Sequence, residues 1–443
     1  MIPRWRRRPV SDVPPLTVYA DGSAPLRVAT RFGILTLHRR VLAPTDGSGH
    51  LMPGNAVLPP HQGMIITRGL QEWACLLPQD LSFATASRRL GWQATAQADA
   101  ILSDTTVRTL VRQHGQAVRQ AEAAAATAVL ARPDRDNLQP QLVPTATPRG
   151  RAAWPVALTA AVEAALADGA ERPPTGVSSA DWARVLACHA QDPRRTPAQV
   201  RTLGPQVPPD EVLVTVDEVC TRKTTTGFWE LRTARVTTAT GSRYVSGTGA
   251  AFLTVLLALV LLCAGRNRRL LVLADGAQWI RRWVGQLTDI WPHTCLLLDW
   301  YHLRKRCNAW GSMICRGRAA KREVLRPVLG HRWQDHVAEA IAGLEAYRPQ
   351  ARSTEWLEKL IRYLQEREPF IPDYHARRRH RQYIGSGQVE KANDQIVAQR
   401  QKGAGMRWSL ATSDALAALR TLILNDEWDA YWCHRQMPSL VVA

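Results

Sequence analysis

The sequence contains no CxxC pair. Its eight cysteines are scattered at 75, 188, 220, 263, 295, 307, 315 and 433. That spacing indicates neither a zinc knuckle nor a disulfide framework, and it suits a reducing cytoplasm. A membrane-spanning stretch is also missing. The one membrane-like run, "AAFLTVLLALVLLCAG" at 250–265, is shorter than the ~20 residues a spanning helix needs. It lies between two strand-like runs, so it reads as a helix packed on a sheet. No apolar run follows the basic opening "MIPRWRRRPV", so a signal peptide is not expected. No internal repeat is visible.

Acidic residues are scarce relative to basic ones: 38 against 57, for a formal charge of +19 and a pI near 10.3. Such an excess points to a polyanionic partner, nucleic acid ahead of an anionic membrane face. The plain alternative is a solvated, arginine-rich surface. The 443 residues and 45% apolar content provide for two or three domains and a sizeable core.

Residues 27–43 alternate around Gly33 as short strands, a Pro/Gly-rich connector covers 53–63, and 65–78 look helical. Two amphipathic helices then flank a break, the second capped by Ser103 or Asp104. This pattern matches a helix-turn-helix, whose second helix enters the major groove N-terminus first. Thr105, Thr106, Arg108 and Arg112 are then placed to reach DNA; the competing reading is an ordinary helical hairpin. Residues 131–210 read as a Pro-rich linker with short helices. From 211 the order becomes β-β-β-α-β-α-β, then all-helical over 303–370, with a last helix at 388–402. Three meandering strands followed by αβ crossovers imply a mixed sheet, first antiparallel and then parallel.

Asp217 is expected to end the first of these strands and Asp275 the fourth. Ligands gather at such strand ends in open α/β sheets. Two carboxylates side by side repel, and a divalent cation is the usual remedy. Glu390 supplies a third oxygen donor, Asp299 and His302 stand close behind, and Asp394 lies one turn beyond Glu390. Without a cysteine or histidine cluster, the set suits Mg²⁺ or Mn²⁺, two ions in all. The bland reading is that each Asp caps a turn.

In this order, "VTVDEV", "VLADGAQWI", "LLLDWYHLRKR", "YIGSGQVEKAND" and "QKGAGMRWS" with the tail to "WDAYW" resemble bacterial insertion-sequence transposases with a DDE triad. The Kra- and Lre-type groups are the nearest in pattern, and these are similar to ribonuclease H-like nucleases and integrases. The resemblance covers about 211–432. It implies Asp217, Asp275 and Glu390 as the triad, Asp217 bridging both metals. It implies phosphate contacts from Arg304, Lys305, Arg306, Arg377, Arg378, Arg379, Arg381, Arg400, Lys402 and Arg407. Trp408, Trp279, Trp283 and Trp428 are read as core rather than as base-stacking platforms.

The resemblance also implies cleavage of transposon-end DNA, joining of the 3′-OH to target DNA, a homodimer or higher oligomer on double-stranded DNA, and a bacterial, nucleoid-associated location with no membrane partner. The expected fold class is α/β: a ribonuclease H-like five-stranded mixed sheet with an all-α insertion. The expected organisation is a β segment (1–63), a helix-turn-helix domain (64–130), a linker (131–210), a first core part (211–302), a helical insertion (303–372) and C-terminal core helices (373–443). Relatives often carry N-terminal cysteine motifs that look zinc-binding. Here only Cys75 falls there, so no zinc is expected. Two other readings stand beside the transposase: a catalytically inactive, domesticated DNA-binding protein, and a structure-selective nuclease of the same fold.

Overall fold

The computed structural model describes residues 18–47, 49–53, 64–94, 101–132, 156–177, 179–191, 207–208, 210–239, 241–265, 268–333, 336–380, 382–434, 436–437 and 440. The break expected at 95–100, linker stretches 133–155 and 192–206, and Arg381 lie outside them. Contacts divide the chain into two units, Met1–Val111 and Arg112–Ala443. The expected boundaries at 63 and 130 are not the ones along which contacts divide.

In the first unit, β1 (Val18–Thr30) and β2 (Gly33–Pro44) form an antiparallel hairpin, and β3 (Met64–Ile66) adds parallel to β1. The strands are longer than the alternation suggested. Helices α1 (Arg68–Leu76) and α2 (Phe83–Ala94) follow. The next helix, α3 (Asp104–Leu130), is not short: its 27 residues begin in one unit and end in the other.

In the second unit, after α3, the expected linker holds two helices. Helices α4 (Val156–Ala167) and α5 (Ser179–Gln191) share a small apolar cluster of Val162, Val177, Trp182 and Val185. The short helices expected in this stretch are therefore packed against each other.

Five strands follow: β4 (Glu211–Arg222), β5 (Phe228–Thr238), β6 (Gly241–Gly247), β7 (Arg269–Ala274) and β8 (Cys295–Leu298). They form one mixed sheet in the order β6-β5-β4-β7-β8. β4, β5 and β6 pair antiparallel, while β7 and β8 run parallel to β4. This is the mixed sheet that the element order implied. Its central strands are apolar on both faces, as a sheet covered on both sides requires.

Alternation along the strands sorts side chains into two layers. Val212, Val214, Val216, Ala234, Val236, Leu270 and Val272 face α6 (Gly249–Ala264) and α7 (Gln278–Thr288). The run that looked membrane-like is α6, buried in this layer; among the described residues no helix is long and apolar enough to cross a membrane. Val219 and Leu231 turn to the opposite layer. There they meet Ala392, Ile396 and Val397 of α13 (Gly387–Asn393, continued as a π-helical turn Asp394–Ala398) and Ala417 of α14 (Leu410–Leu424). The stretch expected to be helical, 303–372, holds α8 (Trp300–Ile314), α9 (Gly317–Trp333), α10 (Val337–Ala346) and α11 (Thr354–Gln365), and α12 (Tyr374–Arg379) follows it. α8 to α11 surround their own core of Leu303, Cys307, Leu325, Val328, Leu344, Leu357 and Leu360. A last short helix, α15 (Trp428–Cys433), closes the described elements.

Trp408 and Trp283 are buried, as expected of core residues. The Trp408 indole donates to the Gln401 carbonyl at 2.9 Å, and its own carbonyl accepts from Trp229. α3 meets α14 where Gly115 faces Ala415: a Cβ on Gly115 would lie 2.5 Å from the Ala415 backbone. Gly-to-Ala within a helix normally gains up to ~1 kcal/mol. Here the helices would have to separate, so Gly115→Ala is expected to lower the melting temperature; a raised one would show that the contact is not tight.

Candidate metal centre

The parallel ladder sets the site. Thr215 of β4 pairs with Leu273 of β7, and Ala274 of β7 pairs with Leu298 of β8. Asp217 and Asp275 each lie two residues beyond the Thr215–Leu273 rung. Asp299 follows Leu298, and its N–H still donates to the Ala274 carbonyl at 2.8 Å. The three aspartates thus continue one row across three neighbouring strands, which lie about 4.8 Å apart. All three have the parity of Leu213, Leu271 and Leu273, opposite to the layer of α6. Asp217 does not end its strand. β4 runs on to Arg222, held by its antiparallel pairing with β5, where Asp217 lies opposite Thr233. Only β7 and β8 stop at the row.

Glu218, one residue on, points to the other layer and accepts from the Trp279 indole at 2.8 Å, as alternation predicts. Burial chiefly, and then the nearby Asp275 charge, push Asp217 up to about 6. Its backbone hydrogen bond at Glu218, a bond from Asn393 and the nearby His302 only partly oppose this. Asn393 donates from Nδ2 to Asp217 Oδ2 at 2.8 Å, leaving its own buried Oδ1 without a partner. Asp275 uses one oxygen to accept from the Ala277 N–H at 2.9 Å. The turn-capping role is thus real, and it occupies Oδ1.

Asp299 is different: it is wholly buried and surrounded by donors. Oδ1 accepts the His302 N–H at 2.9 Å and caps α8. Oδ2 accepts both the Ser386 hydroxyl at 2.6 Å and the Ser386 N–H. Burial alone raises this carboxyl, but the His302 and Ser386 bonds outweigh it and hold Asp299 below the usual carboxylate range. These bonds clamp the "IGSG" loop onto the start of α8, helped by Trp300 N–H to Ile384 O at 2.9 Å. Gly385 is needed for that approach, because a Cβ there would collide with the Tyr301 ring. The clamp places α13, and with it Glu390 and Asn393, over the row.

His302 Nδ1 lies 3.4 Å from Glu390 Oε1 and 3.6 Å from Asp299 Oδ1. Neither is a well-formed hydrogen bond, and Nδ1 is otherwise unpartnered. The Asp299 carboxylate first, with Glu390 and Asp275 further out, holds the imidazole above its usual range against burial. Asp299, His302 and Glu390 offer ligand atoms all within 4.8 Å of one another, a group able to hold a metal ion. The structure thus groups Glu390 with Asp299 and His302, while Asp217 and Asp275, the other two expected ligands, fall outside that group. The sequence reading missed Asn393 and Ser386. Asn393 falls three residues after Glu390, and that i,i+3 spacing was the available signal.

The basic residues divide. Arg304, Lys305, Arg378, Arg379, Lys402 and Arg407 are exposed, Arg407 also donating to the Thr225 carbonyl. Arg306 is exposed but sits over the Trp310 and Tyr363 rings. Arg377 is half-buried and donates to the Tyr383 carbonyl, so it fastens the loop rather than facing solvent. Arg400 is buried against Trp408 and Met406, which corrects its reading as a phosphate contact. Arg112 is exposed, and it donates to Thr412 at 2.7 Å and to Ser409 at 3.2 Å, anchoring the start of α14. Thr106 bonds Ser103, the helix cap, and Arg108 lies against Asp104 and Phe83, while Thr105 is exposed. Asp394 is exposed and accepts from Gln399.

No protein-family model matches the chain, and no curated protein matches it in sequence.

Two aspartates of one row should respond oppositely to neutralisation. Asp217 has its folded pKa near 6, above the ordinary 3.8. The stability it contributes is present below about pH 4 and lost as pH rises through 6. Asp217→Asn should therefore stabilise the metal-free protein at pH 7–8 by about 1–3 kcal/mol, with no gain near pH 3.5. Asp299 is depressed, so its contribution holds above the ordinary value and is lost in acid. Asp299→Asn should cost about 2–4 kcal/mol at pH 7. Thermal melts of both variants against pH check the pair; equal signs at pH 7 would contradict it.

Proposed function

We propose that this chain is a metal-dependent DNA-cleaving and strand-joining enzyme, a DDE transposase of the insertion-sequence kind with a ribonuclease H-like core. The carrying observation is the row of Asp217, Asp275 and Asp299, with Glu390 and His302 grouped at its Asp299 end. Support for the fold comes from three antiparallel strands extended by two parallel ones, with the helical insertion between β8 and α13. Support for DNA as substrate comes from the charge of +19 and from the exposed Arg304, Lys305, Arg378, Arg379, Lys402 and Arg407.

The donor set fits a hard divalent cation. It is rich in carboxylate oxygens, and Asp217 is left high by burial and by Asp275, a charge imbalance that a cation relieves. Asp217, Asp275 and Glu390 would hold Mg²⁺ or Mn²⁺. When bound, such ions activate an attacking oxygen and offset charge on the leaving oxygen of a phosphodiester. Asn393 fixes the Asp217 carboxylate from the side. Asp299, already satisfied by three donors, positions His302 and the glycine loop. The exposed arginines hold the strand while water, and then the freed 3′-OH, attacks.

The test is Mg²⁺-dependent nicking of a plasmid carrying the DNA that flanks the gene. Wild type should nick with Mg²⁺ and not with a chelator. Asp217→Asn, Asp275→Asn and Glu390→Gln should each lose about 100-fold or more. Equal nicking by wild type and Asp217→Asn would overturn the enzyme assignment. Cleavage that ignores end sequence but needs branched DNA would favour the structure-selective nuclease.

A further inference from the structure

α9 carries a feature that the proposed active site does not use. Its buried side is set by Leu325 and Val328, with Ala320, Val324 and Leu329 packed against the same core. On the exposed side stand Arg318, Arg322 and Arg326, spaced by four residues and so aligned along one face. None of the three has a hydrogen-bonding or ion-pair partner among the described residues. Arg316 is exposed just before the helix. Glu323 is the helix's one acid. Some arginines of the neighbouring helices are engaged instead: Arg348 joins Glu345 and Glu358, and Arg306 lies over aromatic rings. Three neighbouring guanidinium groups on one helix face, all placed before the helix's internal Pro327, repel one another without an anionic partner.

We infer that α9 is a second duplex-DNA contact, a backbone-tracking face that grips phosphates away from the carboxylate row. The inference rests on DNA being the substrate. The geometry suits it. α8 follows directly on its cap Asp299, and its 15 residues span about 22 Å before α9 begins. From Arg318 to Arg326 the helix advances about 12 Å in even steps of about 6 Å. A regularly charged strand with a phosphate per about 3.4 Å of axis offers partners along that span. A bilayer is disfavoured, because Ala320, Val324, Leu325, Val328 and Leu329 of α9 pack on the core and an interfacial helix needs such an apolar face free. Arginine also suits phosphate by its planar donor fork.

The experiment uses the full chain, wild type and the triple variant R318Q/R322Q/R326Q, with the metal omitted so that nothing is cut. Binding to a labelled duplex of about 30 base pairs is followed across a salt series. All three positions are exposed, so the melting temperature should barely move; a matching melt confirms a folded variant. The wild-type log K should fall steeply with log[salt], and the variant's slope should be shallower by about 2–3, near 0.9 per lost phosphate contact. Its affinity at low salt should fall roughly 10- to 100-fold. Equal affinity and slope would overturn the α9 contact and leave the proposed function standing. If wild type binds no duplex at any salt, the DNA reading itself fails. A larger loss on single-stranded RNA or on anionic vesicles than on duplex DNA would overturn the assignment of the partner.

Discussion

The parallel pairing of β4, β7 and β8 in one register decides what the rest of the site can be. Because side chains alternate along a strand, a one-residue slip in either pairing would send one aspartate into the apolar layer under α6. Val212, Val214 and Val216 on β4, and Leu270 and Val272 on β7, prevent that slip by occupying the α6 layer. The hydrophobic core thus fixes the positions of three charges. β4 outlasts its parallel neighbours because β5 pairs with it up to Arg222, so Asp217 sits in a rigid mid-strand position while Asp275 and Asp299 sit where strands give way to loops.

Within the row the charges have unlike environments. Asp299 has three donors and behaves as a structural anion, holding the glycine loop against α8. Asp217 has one side-chain donor and a like-charged neighbour, and it carries an electrostatic cost. Such a division is characteristic of sites where function, rather than stability, selects the residues. His302 stands between the two kinds, near enough to Glu390 and Asp299 to feel both.

Much of this was legible in the sequence. The apolar run before Asp275 marked a strand end, the αβ alternation marked the parallel half of the sheet, and the 250–265 run marked the buried helix. The extent of β4 was not legible, because its continuation past Asp217 depends on pairing with β5 rather than on local pattern. Nor was the role of Asp299, which is defined by Ser386, a partner 87 positions away. Arg400 illustrates the same limit. Sequence shows that a residue is basic, while packing against Trp408 decides whether its charge reaches solvent. Arg318, Arg322 and Arg326 passed unremarked because a spacing of four means little until the buried side of α9 is known.

The central claim is that the carboxylate row binds divalent metal. The most direct measurement is a crystal structure grown with Mn²⁺ and phased to show its anomalous scattering. The account predicts a peak bounded by Asp217 and Asp275, with a Glu390 oxygen as a further ligand. No peak at the row, with Mn²⁺ ordered elsewhere or nowhere, would contradict it.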